Sequence, residues 1–408
     1  MTAGQGMFSR RKTPAGALRR KPAVDLSLGG LLYVGMMLFM VMAAMNTKHN
    51  LLYAMVGLMG GVLVVSLFVS RLVLRKIEVH RELPDHAIVG QPATVEYQFR
   101  NRKGYWPSLS VSITELDSPK AFTRPPQAYV LHAAAGMTAT VPARLVPTRR
   151  GVQSLERYEM ATSFPFGFIK RAIERQRKDS LLVYPAMAQV EPRLLERCIS
   201  EEFTSSRMRP RPGGADEFYG VKEFREGDNP RLINWRRTAR TGTVVANEMT
   251  RVSPPRLVVL VDTHLRDRGS AEHALVERAI ATAASVVDHA LSRGMAVGLH
   301  AWAGHVLGIS PSRGKRHRRE LLTALARLPI NTDCPPEKLL GSAHDSLRGG
   351  ATAVIVTPHE LELGLASLGR GRCIVLSLSS PLVRDAVRFD PSIDFAACMP
   401  MDQQPPGH

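Results

Sequence analysis

Residues 217–248 run EFYGVKEFREGDNPRLINWRRTARTGTVVANE, and in them Arg225, Asp228, Arg231, Arg237, Arg240 and Glu248 interleave guanidinium groups with carboxylates around Phe218, Tyr219, Phe224, Ile233 and Trp235. A guanidinium meets a carboxylate through two parallel N–H donors and stacks on aromatic planes, so this composition predicts a rigid ion-pair network around a half-buried Trp235. Gly227-Asp228-Asn229-Pro230 signals a turn within it, and residues 243–246 read as the strand that follows. Other chemical templates miss. Residues 308–316 (GISPSRGKR) are similar to a phosphate-binding loop, but five residues rather than four separate the glycines, and Arg316 stands where Ser or Thr would meet Mg²⁺. The 13 histidines contain no His-Glu-x-x-His, so His264, His317 and Glu320 read as surface groups, and no Gly-x-Ser-x-Gly elbow exists. Cys198, Cys334, Cys373 and Cys398 stand singly, which reads as reduced and buried thiols rather than ligands, bridges or nucleophiles. No catalytic residue and no cofactor is expected.

The elements that must position this block differ on its two sides. Residues 77–185 show short alternating runs, such as ATVEYQF at 93–99 and LSVSI at 109–113, broken by Pro, Gly and Asn, with a closing strand at 181–184. That pattern predicts an antiparallel β-sandwich. Residues 186–256 form a charge-dense linker that holds the block. Over 257–395, apolar strand candidates at 257–261, 296–301, 353–357 and 374–378 alternate with helix candidates at 271–292, 316–328, 336–347 and 361–368, which predicts a parallel, doubly wound α/β domain. Residues 396–408 read as a disordered tail.

Ahead of all this, residues 26–45 and 51–70 contain no ionisable acid or base. Each run is 20 residues, the length a helix needs to cross ~30 Å of hydrocarbon. Residues 26–76 therefore read as a transmembrane helical hairpin, in preference to a cleaved signal peptide, which would be shorter and followed by an Ala-x-Ala-like exit. The tail 1–25 carries Arg10, Arg11, Lys12, Arg19, Arg20 and Lys21, and the second span exits through Arg71, Arg75 and Lys76, against one Lys and one His between the spans. The positive-inside bias places both termini in the cytoplasm. Gly57 and Gly61 form a small-xxx-small pair for packing inside the hairpin, the preferred reading, or between protomers of a homo-oligomer.

The order Glu217-Phe218, Arg225, Gly227-Asp228, Arg231, Ile233, Trp235, Ala239-Arg240-Thr241, Glu248 resembles the defining motif of the bacterial membrane-associated family called domain of unknown function 58. The layout is similar too, with PTRRG at 147–151 and Pro165-Phe166-Gly167, although Ser163-Phe164 precede that Pro where the family tends to have Asp. The resemblance implies an inner-membrane protein that accompanies MoxR-type AAA+ ATPases and acts in assembling or maturing other proteins, with a C-terminal α/β module similar to a von Willebrand factor A domain. Metal-binding modules of that kind present Asp-x-Ser-x-Ser after the first strand and a later Thr and Asp. Here Asp262-Thr263-His264-Leu265-Arg266 keeps the Asp but puts His and Arg at the Ser positions, and Thr357-Pro358-His359-Glu360 has no Asp. A guanidinium repels a dication, so Asp262 marks a degenerate metal site and reads as a structural residue.

These readings set the expectation of a membrane-anchored α+β multidomain protein of the bacterial inner (plasma) membrane: hairpin, sandwich, von Willebrand factor A-like domain. Its expected role is a non-enzymatic scaffold or adaptor on the cytoplasmic face, with the bilayer and a MoxR-type AAA+ ATPase as partners. Inside the block two roles stay open: tying the motif to the α/β domain, or touching a partner. The alternatives are a metal-dependent hydrolase at the Asp262 edge, and a nucleic-acid binder, since 54 Lys+Arg against 36 Asp+Glu leave +18. The cluster Arg313, Lys315, Arg316, His317, Arg318 and Arg319 reads as a solvated face near anionic lipid rather than a nucleic-acid contact, because such residues gain ~1 kcal/mol each at an anionic surface.

Overall fold

The computed structural model describes residues 23–116, 121–194, 212–225, 228–250, 255–267, 269–330, 339, 341, 351–360 and 373–398. The expectations for residues 1–22, Gly227, most of 336–347, 361–368 and the tail from 399 lie outside the described residues. The chain forms two compact units, Met1–Ala186 with Pro391–His408, and Met187–Asp390.

The first unit runs β1 (Ala23–Leu26), α1 (Leu28–Thr47), α2 (Asn50–Val73), β2 (Ile77–Glu82), β3 (Ala87–Ile88), β4 (Ala93–Asn101), β5 (Ser108–Glu115), β6 (Gln127–Ala133), β7 (Thr138–Leu145), β8 (Gly151–Thr162) and β9 (Ile169–Tyr184). Helix α1 starts where Ser27 Oγ accepts from the Gly30 amide and stops at Lys48, which takes the left-handed conformation. Both helices are long and apolar enough to cross a membrane. Their side chains face outward: Leu28, Phe39, Leu51 and Phe68 are all more than two-thirds exposed. Gly57 and Gly61 also face open space, since a Cβ on either would meet no atom within 4 Å. Packing inside the hairpin, the preferred reading of that pair, is therefore corrected; Tyr33, donating to the Met59 carbonyl at 3.3 Å, joins the helices instead.

Two sheets follow, β1-β9-β8-β5-β6 with β3 alongside β9, and β2-β4-β7. Alternation along β4 sends Val95, Tyr97 and Phe99 inward to complete burial, opposite Val111 and Ile113 of β5. Arg81 of β2 crosses to the larger sheet, donating to the carbonyls of Leu155 (2.7 Å) and Arg177 (3.1 Å) and pairing with Glu115 (3.2 Å) and Asp179 (3.4 Å). After Asp390 the chain returns to this unit, where the Arg150 amide donates to the Cys398 carbonyl. Cys398 is buried, whereas Cys373 of the second unit is only partly so.

The second unit comprises β10 (Gln189–Val190), β11 (Pro212–Glu223), α3 (Trp235–Thr241), β12 (Val245–Thr250), β13 (Arg256–Val261), α4 (Ser270–Ser292), β14 (Ala296–Trp302), β15 (Val306–Ser312), α5 (Lys315–Arg327), β16 (Thr352–Thr357), β17 (Cys373–Ser377), α6 (Pro381–Ala386) and β18 (Val387–Arg388). Its main sheet has the order β15-β14-β13-β16-β17, with β13 parallel to both neighbours. The continuous apolar run of β13 is buried throughout from Leu257 to Val261, as a central parallel strand requires, and α4 covers it with Val276, Ala279, Ile280, Ala283 and Val287. The edge strand β15 is antiparallel to β14, folding back over Ala303 to His305. The sequence GISPSRGKR thus runs from β15 into α5 with only Arg313 and Gly314 between them, fewer residues than a phosphate-binding loop has.

Candidate functional site

The arginine-rich block is held on a β-ribbon. Strands β11 and β12 pair antiparallel, with Lys222 opposite Ala246 and Glu223 opposite Val245. Where β11 ends, Asp228 closes the turn: its carboxylate accepts from Lys222 Nζ at 2.7 Å and from the Arg225 amide at 3.0 Å. The Lys222 ammonium first, and the Arg225 amide second, hold the Asp228 carboxyl below its ordinary range. Asn229 caps a single 3-10 turn, Pro230–Leu232, by accepting from the Arg231 amide.

Helix α3 is set by two further side chains. Asn234 caps it by accepting from the Arg237 amide at 3.1 Å, and its own amide group donates to Asn247 of β12 at 2.9 Å. Thr238 Oγ1 accepts from the Val245 amide, and Gly242 ends the helix in the left-handed conformation that a Cβ disfavours. Ile233 bridges to Ala246, which is buried. Lys222, Asn229, Asn234, Thr238 and Asn247 are not among the residues that the spacing of charges and aromatics singles out. The signal for two of them was local: an Asn directly before Pro, and an Asn directly before a helical run.

What this scaffold displays differs from the expected network. Trp235 is 69% exposed rather than half-buried, and Arg225, Arg231, Arg236, Arg237, Ala239 and Arg240 are exposed with it. Among the described residues no carboxylate forms an ion pair with these arginines. The reason is thickness: α3 has seven residues on a two-stranded ribbon, and among the described residues these elements form no second layer under which a guanidinium–indole cluster could be buried. Of the predicted residues, Arg225, Asp228, Arg231, Ile233, Trp235, Ala239 and Arg240 thus come together on one small platform. Glu217, Phe218 and Glu248 lie on the paired strands β11 and β12.

A second constellation lies at the carboxyl edge of the main sheet. Asp262 is 6% exposed, with Oδ1 accepting from the His264 amide at 3.0 Å and Oδ2 from the Thr357 hydroxyl at 3.1 Å. Oδ2 thus ties the end of β13 to the end of β16, while Oδ1 holds the turn that follows β13. Beside them His359 Nε2 lies 2.5 Å from Glu272 Oε1, and the same oxygen accepts from the Arg266 amide. Glu272 had no sequence signal, being 87 residues from its partner; the crossover topology brings them together. Among the described residues no group of three or more His, Cys, Asp or Glu side chains is arranged to hold a metal ion.

The basic cluster at the start of α5 is partly spent on structure. Arg318 pairs with Asp288 of α4, and His317 is buried, its Nε2 2.7 Å from the Val297 carbonyl, which corrects its reading as a surface group. The hydrophobic face of α5 turns that position inward with Leu321 and Leu325.

Residues 220–357 match the family model described as protein of unknown function DUF58, which supports assignment to that family. The matched span starts inside β11 and takes in α3 with its ribbon, and the main sheet through β16. No curated protein matches the chain.

Proposed function

We propose that this protein is a non-enzymatic scaffold or adaptor of the bacterial inner membrane. In this reading the α1–α2 hairpin spans the bilayer with both termini cytoplasmic, and a von Willebrand factor A-like body carries the α3 platform to an acidic surface on a MoxR-type AAA+ ATPase, for the assembly or maturation of other proteins. The observation that carries it is the display of Trp235 among arginines on a helix whose polar caps are all committed to holding it. Trp and Arg are the side chains that dominate binding energy at protein interfaces, and leaving a large indole in water is unfavourable unless something covers it. The partner class comes from the family resemblance.

The test is co-purification of the full chain from its own membranes in detergent. Trp235→Ala and Arg231→Glu should each lose a bound ATPase about tenfold or more, while the unfolding temperature stays put. Retention of every partner by both folded variants removes this reading.

A second reading, hydrolysis at the carboxyl edge, has the Glu272–His359 pair beside Asp262 on its side, because a carboxylate that holds an imidazole in place is an arrangement that general acid–base catalysis uses. It requires a divalent ion at stoichiometric level in the purified protein and loss of activity in Asp262→Ala.

A further inference from the structure

We infer that the end of the two-sheet unit that bears the hairpin is a second, peripheral membrane contact: a foot seated in the headgroup region of an anionic bilayer. The inference rests on the spanning-hairpin reading above and goes beyond it, because a hairpin alone leaves the body on a tether. Strand register fixes which loops share that end. Ile77 starts β2 opposite Asn101 at the end of β4, Ser108 starts β5 opposite Ala133 at the end of β6, and Leu26 lies opposite Ile169 at the start of β9. The 102–107 loop, the 134–137 turn and the 163–168 turn therefore emerge beside the two helix ends.

These loops are built into the hairpin base. Ser27, the cap of α1, donates through Oγ to the Gly167 carbonyl at 2.6 Å, and Tyr33 stacks on Phe168 with ring centroids 4.3 Å apart. Gly30 leaves room for the Phe168 carbonyl, which would lie 2.1 Å from a Cβ. At the other helix, Lys103 Nζ donates to the last carbonyls of α2, Leu72 at 3.0 Å and Val73 at 2.8 Å. Fully buried Asn101 donates to the carbonyls of Trp106 and Ala133, and its backbone amide donates to the Met137 carbonyl.

With their backbones pinned, the loops turn their large side chains outward: Tyr105 is 96% exposed, Met137 63%, Trp106 59% and Phe166 51%. Around them stand exposed Arg71, Arg75, Lys76, Arg102 and Lys170, against Asp25, Glu78, which pairs with Arg102 at 2.8 Å, and Glu159, which pairs with Lys170 at 3.4 Å. Aromatic rings with a cationic collar, continuous with an apolar hairpin, have the chemistry of the membrane–water interface.

The experiment uses the full chain in vesicles of phosphatidylglycerol and phosphatidylethanolamine, with Trp235→Phe and Trp302→Phe leaving Trp106 as the reporter. Spin-labelled lipids should quench Trp106 about twofold more from the headgroup than from mid-chain, and aqueous iodide should reach it poorly. A Phe39→Trp reporter on the same background should respond to the mid-chain label. If that reporter responds while Trp106 answers only to iodide, the foot is wrong and the hairpin stands. If neither answers to lipid, the hairpin reading falls and the foot with it. Equal quenching in phosphatidylcholine vesicles overturns the anionic-lipid assignment. Should the double replacement unfold, the difference between the wild type and Trp106→Phe reads the same signal.

Discussion

In the two-sheet unit the side chain of Arg81 is wholly removed from solvent, between Glu115 and Asp179 and with its guanidinium 5.0 Å from the Tyr158 ring centroid; on the α3 platform five arginines stand in water beside a largely exposed Trp235. Side-chain chemistry is the same in both places and placement is opposite. Arg81 sits between two sheets that exclude water on both sides, and carboxylates and carbonyls take the place of water around its guanidinium. Tyr97 completes that cluster by donating to Glu115 at 2.7 Å, and burial, reinforced by the Glu115 charge, raises its pKa. Among the described residues, the α3 helix rests on a two-stranded ribbon. The comparison teaches that an interleaved run of Arg, acid and aromatic residues becomes a buried network or a displayed surface according to the layers available, not its own composition.

Removing Arg81 should therefore have the largest effect. Arg81→Met takes the guanidinium away from buried Glu115, while Asp179 keeps Arg177 at 3.3 Å, and should cost about 3–5 kcal/mol, read from denaturant unfolding in detergent. Adding Glu115→Gln should recover part of that loss, and a double variant no better than the single would show the pair uncoupled.

Lys103 is another buried cation of this unit, and its effect depends on pH. Burial lowers its pKa from an ordinary value of 10.5 to about 8. Between those values the unfolded chain holds more protons than the folded one, so stability should rise as pH climbs from about 8 to about 10.5 and level off outside that window. Thermal melts of the wild type and Lys103→Met across this range should show the slope only in the wild type; parallel curves would reject a desolvated amine.

On the platform, effects on stability should be smaller. Asn234→Ala removes the cap of α3 and should loosen it by about 1 kcal/mol, seen as faster hydrogen exchange at the Arg237 and Thr238 amides. Trp235→Ala should change global stability by less than about 0.5 kcal/mol. A loss of 2 kcal/mol or more would mean that the indole is packed in solution, and the contrast with Arg81 would fail.

The apolar runs that become α1 and α2 were readable because 20 uncharged residues leave a helix as the economical way to satisfy every backbone group away from water. Strands such as Ala93–Asn101 were readable from alternation, and Arg256–Val261 from a short unbroken apolar run. Less visible was β1: four residues before the first helix that pair with β9, about 146 positions later. In sequence His317 reads as a surface group, since it belongs to no metal-binding pattern, yet its position on α5 faces the sheet. The block's membership was legible from spacing, while the side chains that hold it, Asn234, Thr238 and Asn247, were not, because their partners are backbone groups on the next strand.

The amino-acid order alone determined where the long helices and most of the core strands form, which segments are too apolar for water, and which residues make up the arginine-rich block, since these depend on local periodicity and charge. Only the tertiary structure decided which charged groups are buried, that β15 runs against its neighbour, and that Trp235 faces outward. Burial is a property of how many layers close over a side chain, and layers are assembled from strands far apart in the sequence.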